Sequence, residues 1–460
     1  MSACRSPISK LSRRYQVNRN LYHLAFISLA TLGVWTRAEA QTPVPPAPAQ
    51  SLQPAQTGQQ AQLDLSSPLT LDRVLARFLE RNLAVEAARY RVESSRAEQI
   101  AARLRPVPSL TLTAENIKVA GNSPFTVPFS RLYEAGPTYT QTIELGGKRQ
   151  RRIEVADLIV SVAEAELADV LRRRWLEVRR AFYETLLARS ALELAEEQRG
   201  YFGELVQLNQ VRLEEGAIAG SELLKVKLER VKFDTAVAQA RLAIRQAGIK
   251  LLELLGESNL ETAVSVAGAF DAAPVLVDLA ALREKALRNR PDLQSAERSA
   301  TLAERRIALE RARGVPDIVP FVGYKRLGVD NTVLFGVTIP LRVSNKNQGE
   351  IARAVADEKV ALTERQLARN RVLAEVESAW RAYETARAQL ATFQRELLPQ
   401  SDESREIAQV AYREGATNLL PLLEAQRTRT EIRQQYFRAQ FDYRVSILQL
   451  EAAVGEEIKP

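Results

Sequence analysis

Three residue types are almost missing from this chain of 460 residues, which holds one cysteine, one histidine and one methionine. All three, Cys4, His23 and Met1, lie at the N-terminal end. Everything beyond them is without disulfides, thiol chemistry, a histidine acid–base catalyst or a Cys/His zinc site. It also lacks any soft metal ligand. Phosphate-binding loops are missing too: GGKR from Gly146 has neither the spaced glycines nor the Ser/Thr that such a loop needs. There is no serine-nucleophile elbow, and nothing organises the scattered Asp and Glu into a catalytic pair. The expectation is a protein that is not an enzyme and carries no cofactor.

What is present begins with an export signal. Arg5, Lys10, Arg13, Arg14 and Arg19 form a basic region, Leu21 to Trp35 is mostly apolar, and Ala38-Glu39-Ala40 has the small-x-small pattern of a cleavage site. The apolar run is shorter than the ~20 residues of a spanning helix. Residues 1–40 are therefore expected to be a signal peptide, and residues 41–68 a Pro/Gln-rich flexible tail. Without the leader, Lys and Arg fall from 64 to 58 and Asp and Glu from 56 to 55, so the net charge drops from +8 to +3. The basic runs KRQRR from Lys148 and RRR from Arg172 are then expected to meet lipid headgroups or adjoining helices, with no nucleic-acid partner.

The chain is built twice from one long unit. Val211 to Glu257 recurs at Val410 to Glu456 with a constant offset of 199, matching Glu215-Gly216-Ala217 to Glu414-Gly415-Ala416 and Arg230 to Arg429. Tyr183-Glu184-Thr185 recurs as Tyr383-Glu384-Thr385 at offset 200, and RLRPVPSL from Arg103 echoes RARGVPDI from Arg311 at offset 208. A unit of this length exceeds the roughly 20–50 residues of a solenoid repeat. Two pseudo-symmetric halves are expected, residues 69–268 and 269–460.

Each half has the same order of patterns. Apolar residues at helical spacing open it, as in Leu71, Val74, Leu75 and Phe78 behind a candidate N-cap, Thr70, and a second helix from about 84 to 105 stops before Pro106. Long helices are expected at about 148–215 and 348–414, the second interrupted only at Pro399, with returning helices at about 221–255 and 419–454. At ~1.5 Å per residue each long helix would run roughly 100 Å. Between them, hairpins at about 109–145 and 317–341 alternate apolar and polar residues, as in Val333, Phe335, Val337, Ile339 and Leu341. Alternation over ~9–11 residues is the weak signature of a transmembrane β-strand, one that two ordinary hairpins packed on helices would share. Four strands cannot close a barrel, and open edges are not tolerated in lipid. Three copies would supply twelve.

These residues carry a resemblance. The stretches RLEEGAIAGSELLKVK from Arg212 and REGATNLLPLLEAQ from Arg413 are similar to the periplasmic-tip turns of the TolC family of outer membrane efflux proteins. ELGGKR from Glu144 resembles the cobalt-zinc-cadmium resistance type within it. The resemblance implies a mainly α fold with β. Long antiparallel helical hairpins would form an α-barrel in a homotrimer, with four strands per chain in a transmembrane β-barrel. It further implies an outer membrane location with a periplasmic extension. The function implied is passive conduction of substrate from a periplasmic adaptor, or membrane fusion protein, and an inner-membrane resistance-nodulation-division transporter. The competing reading is a periplasmic adaptor or structural coiled coil, against which the duplication speaks.

By the same resemblance Arg212, Gly216, Ala217, Gly415 and Ala416 form the adaptor-docking tip. The glycines are equally explained as helix C-caps. Glu424, nine past the second tip glycine, stands where the family narrows its pore, with Glu222 and Lys225 as counterparts past the first. Pro421 and Thr417 replace charged residues of the family's closing network, so that network must differ. Independently of any family, Gly200 and Pro399 match at offset 199 and are read as paired hinges.

Overall fold

The computed structural model describes residues 67–115, 134–261, 263–271, 278–328 and 330–458. The expected signal peptide and nearly all of the tail lie outside the described residues, as does the first hairpin's connecting loop. The first half contains α1 (Leu71–Arg81), α2 (Leu83–Arg103), β1 (Ser109–Glu115), β2 (Glu134–Thr140), α3 (Lys148–Glu214) and α4 (Gly220–Leu254). The second contains α5 (Leu279–Asn289), α6 (Pro291–Arg313), β3 (Val319–Leu327), β4 (Asp330–Thr338), α7 (Gln348–Thr392), a π-helical turn (Phe393–Leu397), α8 (Leu398–Arg413) and α9 (Leu419–Val454). The mainly helical fold with four antiparallel strands is as expected.

Local chemistry sets the boundaries, and it refines three expectations. Thr70 occupies the N-cap of α1 but its hydroxyl makes no capping bond. The working cap is Asn82 of α2, whose Oδ1 accepts from the Val85 N–H at 3.1 Å while its Nδ2 donates to the Leu254 carbonyl at 2.7 Å. Secondly, α2 ends at Arg103, two residues earlier than expected, because Leu104 is already extended on the approach to Pro106. Thirdly, the break in the second long helix precedes Pro399. Proline has no N–H to donate, and its ring crowds the carbonyl four residues back. The helix answers by widening to a π turn at Phe393–Leu397.

The helices form rows. Towards the sheet, α2 packs on α3, α3 on α6 and α6 on α7; towards the tip turns, α4 packs on α3, α3 on α9 and α9 on α8. One apolar core joins the halves, with Phe78, Phe182 and Leu251 from the first meeting Phe441, Val445 and Leu448 of α9. A smaller one, containing Phe202, Leu205, Val226, Tyr412 and Leu422, holds the tip ends together.

Each row has two free edges, and the edges are apolar. Leu83, Tyr90 and Ile100 are exposed on α2 and Val360 and Leu367 on α7; nearer the tip, Leu224, Leu228 and Val231 are exposed on α4 and Ile407 and Val410 on α8. Fully burying one such side chain is worth about 1.5–3 kcal/mol.

Candidate functional site

The sheet has order β1-β2-β3-β4, all antiparallel, so the two hairpins join through β2 and β3. Its register puts Leu112, Pro137, Tyr324 and Val333 in line, and Leu110, Tyr139, Val322 and Phe335 in the next line on the same face. This face is apolar, and Phe335 is 84% exposed. The apolar alternation runs past β4 through Ile339 and Leu341 to Val343, all of them exposed. Ten residues at about 3.3 Å each, tilted by about 40°, cover roughly 25 Å, the height of the lipid-facing band of an outer membrane barrel.

The other face is mostly polar or small, with Phe321 and Leu334 among its large apolar exceptions. It carries Thr111, Thr113, Thr138 and Thr140, and at its far end Lys325 is paired with Glu115 at 3.1 Å and with Glu134. Glycines there admit close neighbours: a Cβ at Gly336 would lie 2.6 Å from Phe321 Cζ, and one at Gly136 would overlap the Tyr324 carbonyl. Among the described residues neither β1 nor β4 has a partner on its outer edge.

Where the sheet meets the long helices, the basic runs are consumed internally. Arg149 and Arg152 donate to the Arg103, Ala102 and Leu104 carbonyls, closing the C-terminus of α2. Arg152 also pairs with Glu144 at 2.6 Å, and Lys148 with Asp317 at 2.5 Å. Burial pushes the Asp317 carboxyl up, but hydrogen bonds from Lys148 and the Leu145 N–H outweigh it and hold the group below the usual carboxylate range. In the second run Arg172 donates to the Ala452 carbonyl, and Asp169 pairs with both Arg172 and Arg173.

At the other end of the long helices both tip turns close by the same device. Gly216 and Gly415 have φ of 74° and 72°, in the left-handed region that favours glycine. The Ala217 N–H donates to the Arg212 carbonyl at 2.8 Å and the Ala416 N–H to the Ala411 carbonyl at 2.9 Å, completing a Schellman cap at each. A Cβ at either glycine would meet no atom within 4 Å, so the turns face open space.

Arg212 is placed differently from its four companions. Its guanidinium donates to the Tyr412 and Arg413 carbonyls at 3.3 and 2.9 Å and lies 4.9 Å from the centre of the Tyr412 ring. The Tyr412 hydroxyl donates in turn to the buried Asn209 Oδ1. Arg212 thus ties the tip of α3 to the end of α8.

Further from the tip, a polar layer crosses the seam between α3 and α9. Arg429 of α9, 7% exposed, pairs with Asp402 of α8 at 2.6 Å and with Glu197 of α3 at 3.3 Å. Arg433 reaches the same two carboxylates at 3.5 and 3.6 Å. Beside it the buried Gln426 donates to Gln198, leaving Gln198 Nε2 and Gln426 Oε1 without a partner. Asn209, Gln198 and Gln426 were not singled out from the sequence. Their signal was available: each is a polar residue on a stripe whose other members, Phe202, Leu205 and Leu422, are apolar.

Glu424 is exposed on α9, while Lys225 is exposed and Glu222 half-buried on α4. Since α3 packs against both helices, one chain does not bring these three residues together. Gly200 is exposed within an unbroken α3, whereas Pro399 follows the π turn. Among the described residues no helix is long and apolar enough to cross a membrane, and no group of three or more His, Cys, Asp or Glu could hold a metal ion.

Comparison with known proteins accounts for this arrangement. The sequence pattern of the outer membrane efflux protein family matches at residues 74–257 and again at 282–456, once in each half. The cobalt-zinc-cadmium resistance protein CzcC of Cupriavidus metallidurans is 26% identical over 378 residues, 81% of this chain and 87% of CzcC. The nickel and cobalt resistance protein CnrC of the same organism is 28% identical over 316 residues, 67% of this chain and 70% of CnrC. The Campylobacter jejuni CmeC outer membrane channel superposes with a TM-score of 0.71 at 15% identity, over 85% of this chain and 87% of CmeC. The two-faced sheet, the paired tip turns and the unclosed helical rows are those of a channel subunit, and the chain belongs to the outer membrane efflux protein family.

Proposed function

We propose that this protein is the exit duct for divalent transition-metal cations in a tripartite efflux system. Three copies close the sheet into a twelve-strand barrel and the helical rows into a tube beneath it. The observation that carries this reading is that strand edges and apolar helix edges are left open on the same two sides of the chain. Residues 1–40 direct export, and the halves 69–268 and 269–460 alternate around the pore. The tip turns at Gly216-Ala217 and Gly415-Ala416 receive a periplasmic adaptor, itself engaged by an inner-membrane resistance-nodulation-division pump. Glu424, tripled about the axis, favours cations as acidic rings do in channels.

The metal cargo is supported by the names of the two relatives, one for cobalt, zinc and cadmium and one for nickel and cobalt. Chemistry agrees with it. With no Cys, His or Met beyond residue 23, the duct offers a soft cation nothing to bind, so ions pass hydrated rather than being held. The test joins conductance with tolerance. Purified protein in planar bilayers is expected to give cation-selective events from a species of three chains, and a strain lacking the gene to lose tolerance to one or more of cobalt, zinc, cadmium and nickel. Full metal tolerance with lost tolerance to organic drugs would sink the metal reading and leave the channel.

A further inference from the structure

The seam between α3 and α9 occurs once within the chain, but duplication predicts its twin. At offset 199, α4 repeats α9 and the end of the second long helix repeats that of the first, so the twin seam joins α4 to the π turn and α8. Burial agrees with that register: Ser401 and Tyr412 of α8 are buried where their twins, Phe202 and Leu213, face the tip core or its margin. Within one chain α4 and α8 are opposite edges of the row, with α3 and α9 between them. The twin seam can form only between two copies.

The charges are already in place. Arg429 and Glu197, which form the inner clasp at 3.3 Å, have Arg230 and Glu396 as twins. Both are exposed, and neither makes an ion pair or side-chain hydrogen bond among the described residues. Arg230 has no partner among the described residues for an identifiable reason: the twin of Asp402 is Gly203, which has no carboxylate. Leu228 and Val231 flank Arg230 on α4, and Ile407 and Val410 continue the opposite edge, all exposed.

We propose that Arg230 of one protomer pairs with Glu396 of its neighbour, repeating between copies the clasp that Arg429 and Glu197 make within one. The proposal rests on the trimeric reading above. The two clasps differ in strength. The inner one is buried and gives Arg429 two carboxylates, whereas the outer one is a single pair near the surface, seated on the π turn. The outer seam is therefore the one that yields when the tube widens, because separating a pair near the surface costs less than stranding a buried charge.

Charge reversal in the full-length protein tests this. In Arg230→Glu and in Glu396→Arg, like charges would face each other across each seam. The trimer is expected to dissociate several degrees lower on heated gels, and the resting channel to conduct more often. Combining the two reversals restores the pair and should bring both readouts most of the way back. A stable trimer indifferent to either single reversal, or a double variant no better than the worse single one, overturns the clasp alone. A wild-type chain that never forms trimers removes the clasp together with the trimeric reading. Because both side chains lie on exposed helix faces, helical content by circular dichroism should be unchanged in every variant.

Discussion

At the joint where the short helices meet the returning helix, the first half pairs Arg77 with Glu257 at 2.6 Å and the second pairs Lys285 with Glu456 at 2.8 Å. One turn along, Asn82 donates to the Leu254 carbonyl at 2.7 Å, and its twin Arg290 donates to the Ala453 carbonyl at 3.2 Å. Behind this shared frame the chemistry diverges. In the first half Phe78 meets Trp175 edge to face, with ring centres 5.9 Å apart. In the second, the twins of those rings are Ala286 and Glu375, and Glu375 instead pairs with Arg290 at 2.6 Å. Position survives duplication better than chemistry does: one half fills the joint with rings, the other with an ion pair.

The comparison breaks first at the rings. Phe78 is fully buried, so Phe78→Ala removes an aromatic from a packed core and should cost about 3–5 kcal/mol, read as a lower unfolding temperature in detergent. A loss below about 1 kcal/mol would show that the aromatic pair does not anchor the first half. Next comes Arg290→Ala. Its side chain is 1% exposed between Asp292 and Glu375, and its removal leaves carboxylates facing a buried gap. Breaking such a pair costs about 3–5 kcal/mol, and the half-open Glu375 puts this one at the lower end. Asn82→Ala, by contrast, loses a cap and one hydrogen bond, about 1–2 kcal/mol. Equal costs at the two positions would mean that the ion pair has not replaced the rings.

Much of this could be read in advance, for physical reasons that differ from element to element. Val333, Phe335 and Val337 announce a strand because one face must meet lipid and the other must not, and the long helices show because their apolar stripes run for dozens of residues. Thr70 stands at the N-cap position expected of it, but the residue type does not guarantee the capping bond. The π turn was invisible because Pro399 marks a problem and not the place where the backbone solves it. Arg212 is read from the resemblance as part of the docking tip, yet the Tyr412 and Arg413 carbonyls that hold it are 200 and 201 residues away. No local pattern encodes a partner at that distance.

The two positions read from the sequence as hinges sharpen the comparison at smaller energies. Gly200 sits exposed in an unbroken helix with no atom near its Cβ position, so Gly200→Ala should stabilise α3 by about 0.5–1 kcal/mol. Pro399→Ala should let the π turn relax towards regular helix. If both positions are hinges, each substitution lowers the opening rate in single-channel recordings. Unchanged gating in Pro399→Ala would dismiss the hinge there, and a change only in that variant would assign flexibility to the second half alone.

The smallest expected effect concerns acid, and it too separates the halves. Burial raises the Asp292 and Asp402 carboxyls, but the hydrogen bonds and charges of Arg290 for the first, and of Arg429 and Arg433 for the second, outweigh it and hold both below their ordinary values. Their twins, Ala84 and Gly203, do not titrate. A carboxylate depressed in the folded state contributes stability above its unfolded pKa, about 3.9 for Asp. That contribution is lost as the pH falls through the lower folded value. Glu451 works in the opposite sense: burial outweighs Arg179 and raises it, so it takes up its proton first on acidification, where its twin Leu252 has none to take. Among the described residues of the first half one carboxyl is depressed, Glu184, raised by burial but held low overall by Lys250 and Arg180 in a surface pair. Exposed pairs contribute about 0–1 kcal/mol. Lowering the pH below about 4 should therefore loosen α6 and the α8–α9 pairing near the tip before α2 and α4, with Glu451 offsetting the effect at the other end of α9, seen as faster backbone hydrogen exchange in the second half after correction for intrinsic rates. Asp402→Asn should remove the acid dependence near the tip while leaving that of α6 in place. Uniform loosening of both halves would mean that the acid response follows net charge and not these particular pairs.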